Sequence, residues 1–149
     1  MMKNKSNNYA FVDSQNLHKG IESLGWKLDF AKFRRYLKEK YNVATAYLFI
    51  GYIPTNQGLY SSLQKKDYVL IFKPAIPDHN GEIKGNIDAD LVLQAMVDYK
   101  NYDKAVIVSG DGDFVPLVEY LQTMTQVEVI SFGKSTSAKL REVAPPAGL

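Results

Sequence analysis

Apolar and polar positions along the chain fall into two alternating patterns. Short, nearly continuous apolar runs are typical of buried β-strands, and longer runs with an apolar residue every three or four positions are typical of α-helices that pack on one face. The first pattern predicts strands over residues 9–13, 43–53, 68–75, 104–109 and 127–132. The second predicts helices after residue 17, over 30–41, after residue 55, and over 88–100, 114–124 and 137–144.

Strands that alternate with helices favour an α/β fold. We expect a mainly parallel five-stranded sheet with helices on both faces. The domain is expected over residues 9–143, with a flexible polar arm over 1–8 and a tail over 144–149. In the strand order 3-2-1-4-5, strands one and four are neighbours at the switch point, where ligands bind at the carboxyl ends of the strands.

Composition narrows the class of protein. The chain has 149 residues and no cysteine, which excludes disulfides, thiolate metal sites and a cysteine nucleophile. No apolar stretch reaches the ~18 residues of a membrane span. The polar start "MMKNKSNN" lacks the apolar region of a secretory signal, so we expect a cytoplasmic protein with no membrane partner. The net charge is +2, and a mixed, solvated surface is its simplest interpretation.

Aspartates at predicted strand ends are the candidate chemistry. Asp13 ends strand one in "FVDSQN", and Asp111 and Asp113 follow strand four in "VIVSGDGDFVPLV". Neighbouring parallel strands would bring these carboxylates to one crevice, where oxygen ligands suit a hard divalent cation and two-metal phosphodiester chemistry. Structural roles stay open beside this hypothesis, because Asp13 or Asn16 can cap the following helix and Asp113 can cap the helix at Phe114.

A fourth carboxylate is expected from the start of the helix over 88–100. Residues two apart on a helix differ by ~200° in direction, so only one of Asp88 and Asp90 can face the crevice. Asp88 shares a face with Leu91, and Asp90 shares a face with Leu93. Each is also explained as an aspartate that the helix dipole favours at an N-terminus.

Three segments together resemble a known family. In order and spacing, "FVDSQN", "KGNIDADLVLQAM" and "VIVSGDGDFVPLV" resemble the signature segments of the NYN domain, in particular its bacterial LabA-like branch within the PIN-like superfamily. The resemblance extends over about residues 9–143. It implies a PIN-like fold, which is a Rossmann-like three-layer α/β/α sandwich. It also implies metal-dependent ribonuclease activity, RNA as the partner and Mg²⁺ or Mn²⁺ as the cofactor.

The resemblance also implies a set of site residues. The catalytic and metal-binding positions fall on Asp13, Asp88, Asp111 and Asp113, and the supporting positions are Asn16, Asp90 and Ser109. "KGNID" has one residue more than the spacing that family members often show. The choice between Asp88 and Asp90 therefore stays open.

Basic side chains near these segments are candidate contacts with RNA. Arg34 and Arg35 lie on the basic helix over 30–41, and Lys84 lies beside the acidic site in the sequence. The alternative is that these residues only keep the surface solvated. A homodimer stays open as well, because the sequence does not fix the oligomeric state.

Three classes of function are compatible with the α/β pattern. The first is a Mg²⁺- or Mn²⁺-dependent ribonuclease, and the second is an RNA-binding or regulatory module that binds metal without turnover. The third is a phosphoacceptor or phosphatase module, which needs an acceptor aspartate after strand three or a DxD motif after strand one. Strand three ends in "FKPA" and strand one in "DSQN", so the third class fits poorly.

Overall fold

Five parallel strands form the central sheet of the protein. The computed structural model describes residues 7–25, 27–74 and 88–131. Two short 3₁₀ turns, Pro54–Asn56 and Gly112–Phe114, precede the third and the last of its helices. In chain order, the strands and helices are β1 (Asn8–Asp13), α1 (Ser14–Ser23), α2 (Phe30–Tyr41), β2 (Val43–Tyr52), α3 (Gln57–Lys65), β3 (Val69–Pro74), α4 (Asp88–Val97), β4 (Lys104–Val108), α5 (Val115–Gln122) and β5 (Gln126–Ile130).

The strand order across the sheet is β3-β2-β1-β4-β5, and every neighbouring pair is parallel. This confirms the predicted α/β fold and the predicted order of strands. The order reverses at β1, which pairs with β2 on one side and with β4 on the other. Val12 of β1 lies opposite Val108 of β4, so the residues that follow these two positions leave the sheet side by side.

Two apolar cores cover the two faces of the sheet. One core joins the sheet to α1, α2 and α3 and includes Val12 and Leu37. The other joins the sheet to α4 and α5 and includes Phe11, Leu91 and Leu121. Phe11 and Val12 are both fully buried, because successive side chains of a strand point to opposite faces. Burial on both faces explains why the strands are nearly continuous apolar runs.

Capping residues set the bounds of the first two helices. Asp29 accepts a hydrogen bond from the backbone N of Lys32 at 3.0 Å, and Asn42 ends α2 in the left-handed conformation with φ of 55°, as expected for helix caps. Helix α2 therefore has the bounds that the sequence predicts. Helix α1 begins at Ser14, earlier than predicted, because Asp13 is its N-cap.

Some predicted features fall outside the residues that the structure describes. They are the helix over 137–144, the Pro/Asn/Gly loop predicted over 76–86, and most of the arm and all of the tail that were assigned to residues 1–8 and 144–149. In the described part of the chain, no helix is long and apolar enough to cross a membrane.

Candidate functional site

The candidate site lies where β1 and β4 end side by side. Asp13 is the last residue of β1, and Ser109 directly follows β4. Ser109 donates a hydrogen bond from Oγ to Oδ2 of Asp13 at 3.2 Å. Both side chains are buried, with 3% of Asp13 and 1% of Ser109 exposed. A direct polar contact thus joins the carboxyl ends of the two strands at the switch point of the sheet.

Asp13 is also the N-cap of α1. Its Oδ1 accepts a hydrogen bond from the backbone N of Asn16 at 3.2 Å, which satisfies one of the free N–H groups at the start of the helix. The capping role predicted as an alternative is therefore present. Each carboxylate oxygen has two acceptor positions, so the bonds from Asn16 and Ser109 leave acceptor capacity on both oxygens of Asp13.

The environment of Asp13 disfavours its charged form. Burial raises the pKa of Asp13 above its ordinary value of 3.8, and the nearby charge of Asp111 raises that pKa as well. Hydrogen bonds from the backbone of Asn16, from the Ser109 hydroxyl and from the backbone of Gln15 act in the opposite direction. Desolvation and a like charge are two separate causes of a raised carboxyl pKa, and both operate at this position.

The turn after β4 is held by a chain of hydrogen bonds. The backbone N of Gly110 donates to Oδ1 of Asn16 at 2.7 Å, which ties the turn to α1. The backbone N of Asp111 donates to Oγ of Ser109 at 3.1 Å, and the backbone N of Asp113 donates to Oδ1 of Asp111 at 2.9 Å. Asn16 and Ser109, predicted as supporting residues, therefore fix the turn on which Asp111 sits.

The predicted acidic residues differ in their placement. Asp13 is buried, Asp111 is partly exposed, and Asp113 is exposed. Among the residues that the structure describes, no group of three histidine or acidic side chains is arranged to hold a metal ion. The side chain of Asp88 and all of Lys84 lie outside the described residues.

The phase of α4 bears on the choice between Asp88 and Asp90. Leu91 and Ala95 are fully buried, whereas Leu93 is 63% exposed. Asp90 lies on the same stripe as Leu93, the one that turns away from the sheet. Position 88 belongs by periodicity to the stripe of Leu91 and Ala95. The choice between Asp88 and Asp90 as a ligand stays a prediction, because the side chain of Asp88 lies outside the described residues.

Helix α4 begins at the edge of the sheet that carries the candidate site. It packs against β1 and against the Gly112–Phe114 turn. Just past its last turn, Asp98 accepts a hydrogen bond at Oδ2 from the hydroxyl of Tyr47, in the middle of β2. The helix thus runs back along the sheet, and its N-terminus lies at the edge where β1 and β4 end.

Arg34 does not lie where a substrate contact requires it. Its side chain is buried, with 6% exposed, and it donates to the backbone carbonyls of Val43, Ala44 and Asp67 at 3.2, 3.1 and 2.9 Å. It also pairs with Oδ2 of Asp67 at 3.0 Å. Val43 is the first residue of β2, so Arg34 binds the start of that strand, at the edge opposite the candidate site. Arg35, the other predicted contact, is exposed.

The chemistry of the donors at the site suits a hard divalent cation. Asp13 and Asp111 supply carboxylate oxygens, and hard cations such as Mg²⁺ take oxygen ligands. The two carboxylates are close enough for the charge of one to raise the pKa of the other.

Comparisons with known proteins agree with this geometry. A model of the NYN domain matches residues 9–146. The Low amplitude and bright protein LabA of Synechococcus elongatus is 26% identical over 142 residues, which cover 88% of this chain and 76% of that protein. In fold, the chain is similar to the crystal structure of a protein of unknown function from Vibrio parahaemolyticus. The TM-score is 0.82 and the identity 27%, with 97% of this chain and 93% of that chain covered.

The chain belongs to the NYN domain family, a PIN-like nuclease family, because the family match extends over most of its length. The match includes β1, α4 and the turn after β4, which carry the three segments that resemble the family signature. The predicted relationship to the LabA-like branch is confirmed by the similarity to LabA.

Proposed function

We propose that the protein is a ribonuclease that hydrolyses RNA phosphodiester bonds with a divalent cation, Mg²⁺ or Mn²⁺, held by Asp13, Asp88 and Asp111. One observation carries the proposal: in a domain of a nuclease family, a buried aspartate lies beside a second carboxylate at the ends of two adjacent strands. Such a pair is costly to ionise, and a bound cation offsets that cost.

In the described part of the chain, the hydrogen-bond donors to the pair are neutral. Within residues 7–25, 27–74 and 88–131, no lysine, arginine or histidine forms an ion pair with Asp13 or Asp111. Hydrogen bonds from Asn16 and Ser109 lower the pKa of Asp13, yet the net direction of the shift is upward. Neutral donors alone therefore do not balance the pair.

Each residue has a separate role in this proposal. A bound divalent cation supplies an activated water and positive charge near the leaving oxygen. Asp13 and Asp111 hold the cation, while Asn16 and Ser109 keep the two carboxylates in place through bonds to Gly110, Asp111 and Asp13. We assign Asp113, which is exposed at the turn, to orienting water or to a second cation.

The exposed basic side chains of α2 are the proposed contacts with the RNA backbone. Lys32, Arg35 and Lys38 are all exposed, and such side chains bind phosphates without regard to sequence. Arg34 is excluded from this role because it is buried in the fold. Lys84 remains a proposed contact from outside the described residues.

A cleavage assay on end-labelled RNA tests the proposal. Wild type with Mn²⁺ should cleave, wild type with an excess of chelator should not, and Asp111→Asn should lose most of the cleavage. Asp103→Asn is the matched control, because it removes the same charge from an exposed carboxylate that accepts a hydrogen bond from the backbone N of Asn7, at the opposite edge of the sheet. Cleavage that survives the chelator, or that Asp111→Asn retains in full, would contradict the proposal.

The second candidate is an RNA-binding module without turnover. It is favoured by one observation: Asp13 and Asp111 each accept a backbone hydrogen bond as a cap, a structural role that needs no turnover. In the same assay, RNA that is bound and shifted but stays intact with either Mg²⁺ or Mn²⁺ would select this candidate over the ribonuclease.

A further inference from the structure

Three aromatic residues cluster at the same edge of the sheet as the candidate site. Tyr52 ends β2, Phe72 lies near the end of β3, and Tyr60 lies on α3 above them. We name Tyr52, Tyr60 and Phe72 the aromatic cluster. The ring centroids are 5.8 Å apart for Tyr52 and Tyr60, 5.4 Å for Tyr52 and Phe72, and 4.7 Å for Tyr60 and Phe72.

Tyr60 is the structural member of the aromatic cluster. It is only 4% exposed. Its hydroxyl accepts a hydrogen bond from the backbone N of Ile53 at 2.8 Å and donates to the carbonyl of Gly51 at 3.1 Å. These bonds fix the end of β2 on both sides of Tyr52, so the cluster rests on a rigid base.

Tyr52 and Phe72 remain accessible although they complete this packing. Each is 37% exposed. The rings of Tyr52 and Tyr60 are close to parallel, at 23°, whereas Phe72 stands across Tyr52 at 85°. A flat aromatic ligand on the outer face of Tyr52 would thus extend the stack of Tyr52 and Tyr60. Its edge would lie against Phe72. Offset stacking and edge-to-face contacts are the two geometries that aromatic rings prefer.

The aromatic cluster lies within reach of the candidate site. Phe49 of β2 is the register partner of Asp13, and Tyr52 is three residues further along β2. At ~3.3 Å per residue, Tyr52 therefore lies roughly 10 Å beyond the level of Asp13, one strand to the side. Three positions separate Tyr52 from Phe49, so the ring of Tyr52 lies on the opposite face of the sheet, the one that α3 covers. A single strand that places one phosphate at Asp13 and crosses the carboxyl end of β2 brings a nearby base to Tyr52.

We propose that Tyr52 and Phe72 form a base-stacking subsite that receives an unpaired base of single-stranded RNA beside the scissile phosphate. This inference rests on the proposed function, and it adds to it a preference for unpaired over duplex RNA at this position. Stacking on aromatic side chains tolerates any base, since every base offers a flat face. The subsite therefore distinguishes unpaired from paired RNA but does not distinguish one base from another.

The test is a binding measurement with abasic substitutions. A labelled single-stranded RNA oligomer is titrated in chelator, so that it stays intact, with wild type, Tyr52→Ala, Tyr52→Phe and Phe72→Ala. The oligomer is used with all its bases and with one base removed at each position in turn. Leu93→Ala is the matched control, because it truncates a more exposed apolar side chain on the outer stripe of α4.

We expect Tyr52→Ala to weaken binding of the intact oligomer by roughly fivefold to a hundredfold, the range for loss of one base–aromatic stack. Tyr52→Phe and Leu93→Ala should bind like wild type, and Phe72→Ala should be intermediate. Removal of one particular base should weaken binding to wild type but not to Tyr52→Ala, because the two changes remove the same stacking interaction.

The outcomes separate this inference from the proposed function. If wild type binds or cleaves RNA but shows no sensitivity to any single abasic position, the subsite is overturned and the ribonuclease stands. That wild-type result decides the matter even if Tyr52→Ala fails to fold. If wild type neither binds nor cleaves RNA, the proposed function fails and the subsite fails with it.

Discussion

The hydroxyl of Ser109 donates to Oδ2 of Asp13 at 3.2 Å and so joins the carboxyl ends of β4 and β1. The same hydroxyl oxygen accepts a hydrogen bond from the backbone N of Asp111 at 3.1 Å. Ser109 therefore holds the carboxylate of Asp13 and the backbone of Asp111 through one buried atom.

Removal of this hydroxyl should cost stability and impair the site. Ser109→Ala leaves the backbone N of Asp111 without its acceptor and deprives Asp13 of a bond that lowers its pKa. The expected loss is about 1–3 kcal/mol in the free energy of unfolding, measured with denaturant. Metal affinity should fall too, because the proton, which the carboxyl of Asp13 then holds more tightly, competes with the cation for that carboxylate.

Ser23→Ala is the matched control for that variant. Ser23 donates from Oγ to the carbonyl of Gly20 at 2.7 Å, but it lies at the exposed end of α1. Its replacement should change stability by less than about 0.5 kcal/mol. Equal losses in the two variants would mean that the Ser109 bond has no special importance.

Asp13→Asn should alter the dependence of stability on pH. The pKa of Asp13 in the folded protein is raised above its ordinary value of 3.8, so the folded state binds this proton more tightly than the unfolded state does. The stabilisation that comes from this tighter proton binding is therefore fully present below pH 3.8. It is lost as the pH rises through the pKa of Asp13 in the folded protein. The side chain of Asn does not titrate, so the Asp13→Asn variant does not lose this stability.

Denaturant unfolding of wild type and Asp13→Asn without metal, from about pH 4 to neutral pH, measures the effect. The stability of the variant relative to wild type should increase as the pH rises and then level off. Titrating groups that do not interact with Asp13 are common to both proteins and cancel in the difference, while the repulsion between Asp13 and Asp111, present only in wild type, acts in the same direction. Stability curves that stay parallel over this range would show that the pKa of Asp13 is not raised.

Replacement of Arg34 should cost much more stability than replacement of Arg35. Arg34→Ala removes the donor for three backbone carbonyls, those of Val43, Ala44 and Asp67. We expect a loss of about 2–4 kcal/mol in the free energy of unfolding. Arg35→Ala changes an exposed side chain of the same helix and should cost less than about 0.5 kcal/mol. Similar losses for the two neighbours would contradict the structural role of Arg34.

Arg35 should instead affect RNA binding. Affinity for single-stranded RNA should decrease with salt, and the slope of log affinity against log salt should become shallower by about 0.7 for each phosphate that the variant no longer binds. Arg35→Glu should show such a change, while Asp103→Asn should not. RNA affinity that depends neither on salt nor on Arg35 would exclude α2 as the contact surface.

The sequence predicts the fold and the location of the site because both follow from local patterns. The continuous apolar runs of β1 and β4 require burial on both faces, and this favours a parallel sheet. Asp13 ends the first run and Asp111 comes shortly after the second, so the strand order alone brings them to one edge. Helix α2 is predicted to the residue, since its caps Asp29 and Asn42 are adjacent to its apolar stripe.

The contacts that the sequence does not predict join residues distant along the chain. The partners that bury Arg34 lie 9, 10 and 33 positions away, so a pattern of charges on α2 marks it only as one of several cations. Ser109 reaches Asp13 across 96 positions, and its role as a bridge depends on the register of β1 and β4. The aromatic cluster also combines three separate elements, β2, α3 and β3.

The claim that a divalent cation balances Asp13 and Asp111 is tested most directly by unfolding with and without Mn²⁺. Without metal, Asp111→Asn should be at least as stable as wild type, because it removes one of two repelling charges and keeps the shape of the turn. At a Mn²⁺ concentration about a hundredfold above its dissociation constant, wild type should gain about 2.7 kcal/mol in the free energy of unfolding, and Asp111→Asn should gain much less. Equal gains in the two proteins would contradict the account and would leave Asp111 as no more than the cap of the turn after β4.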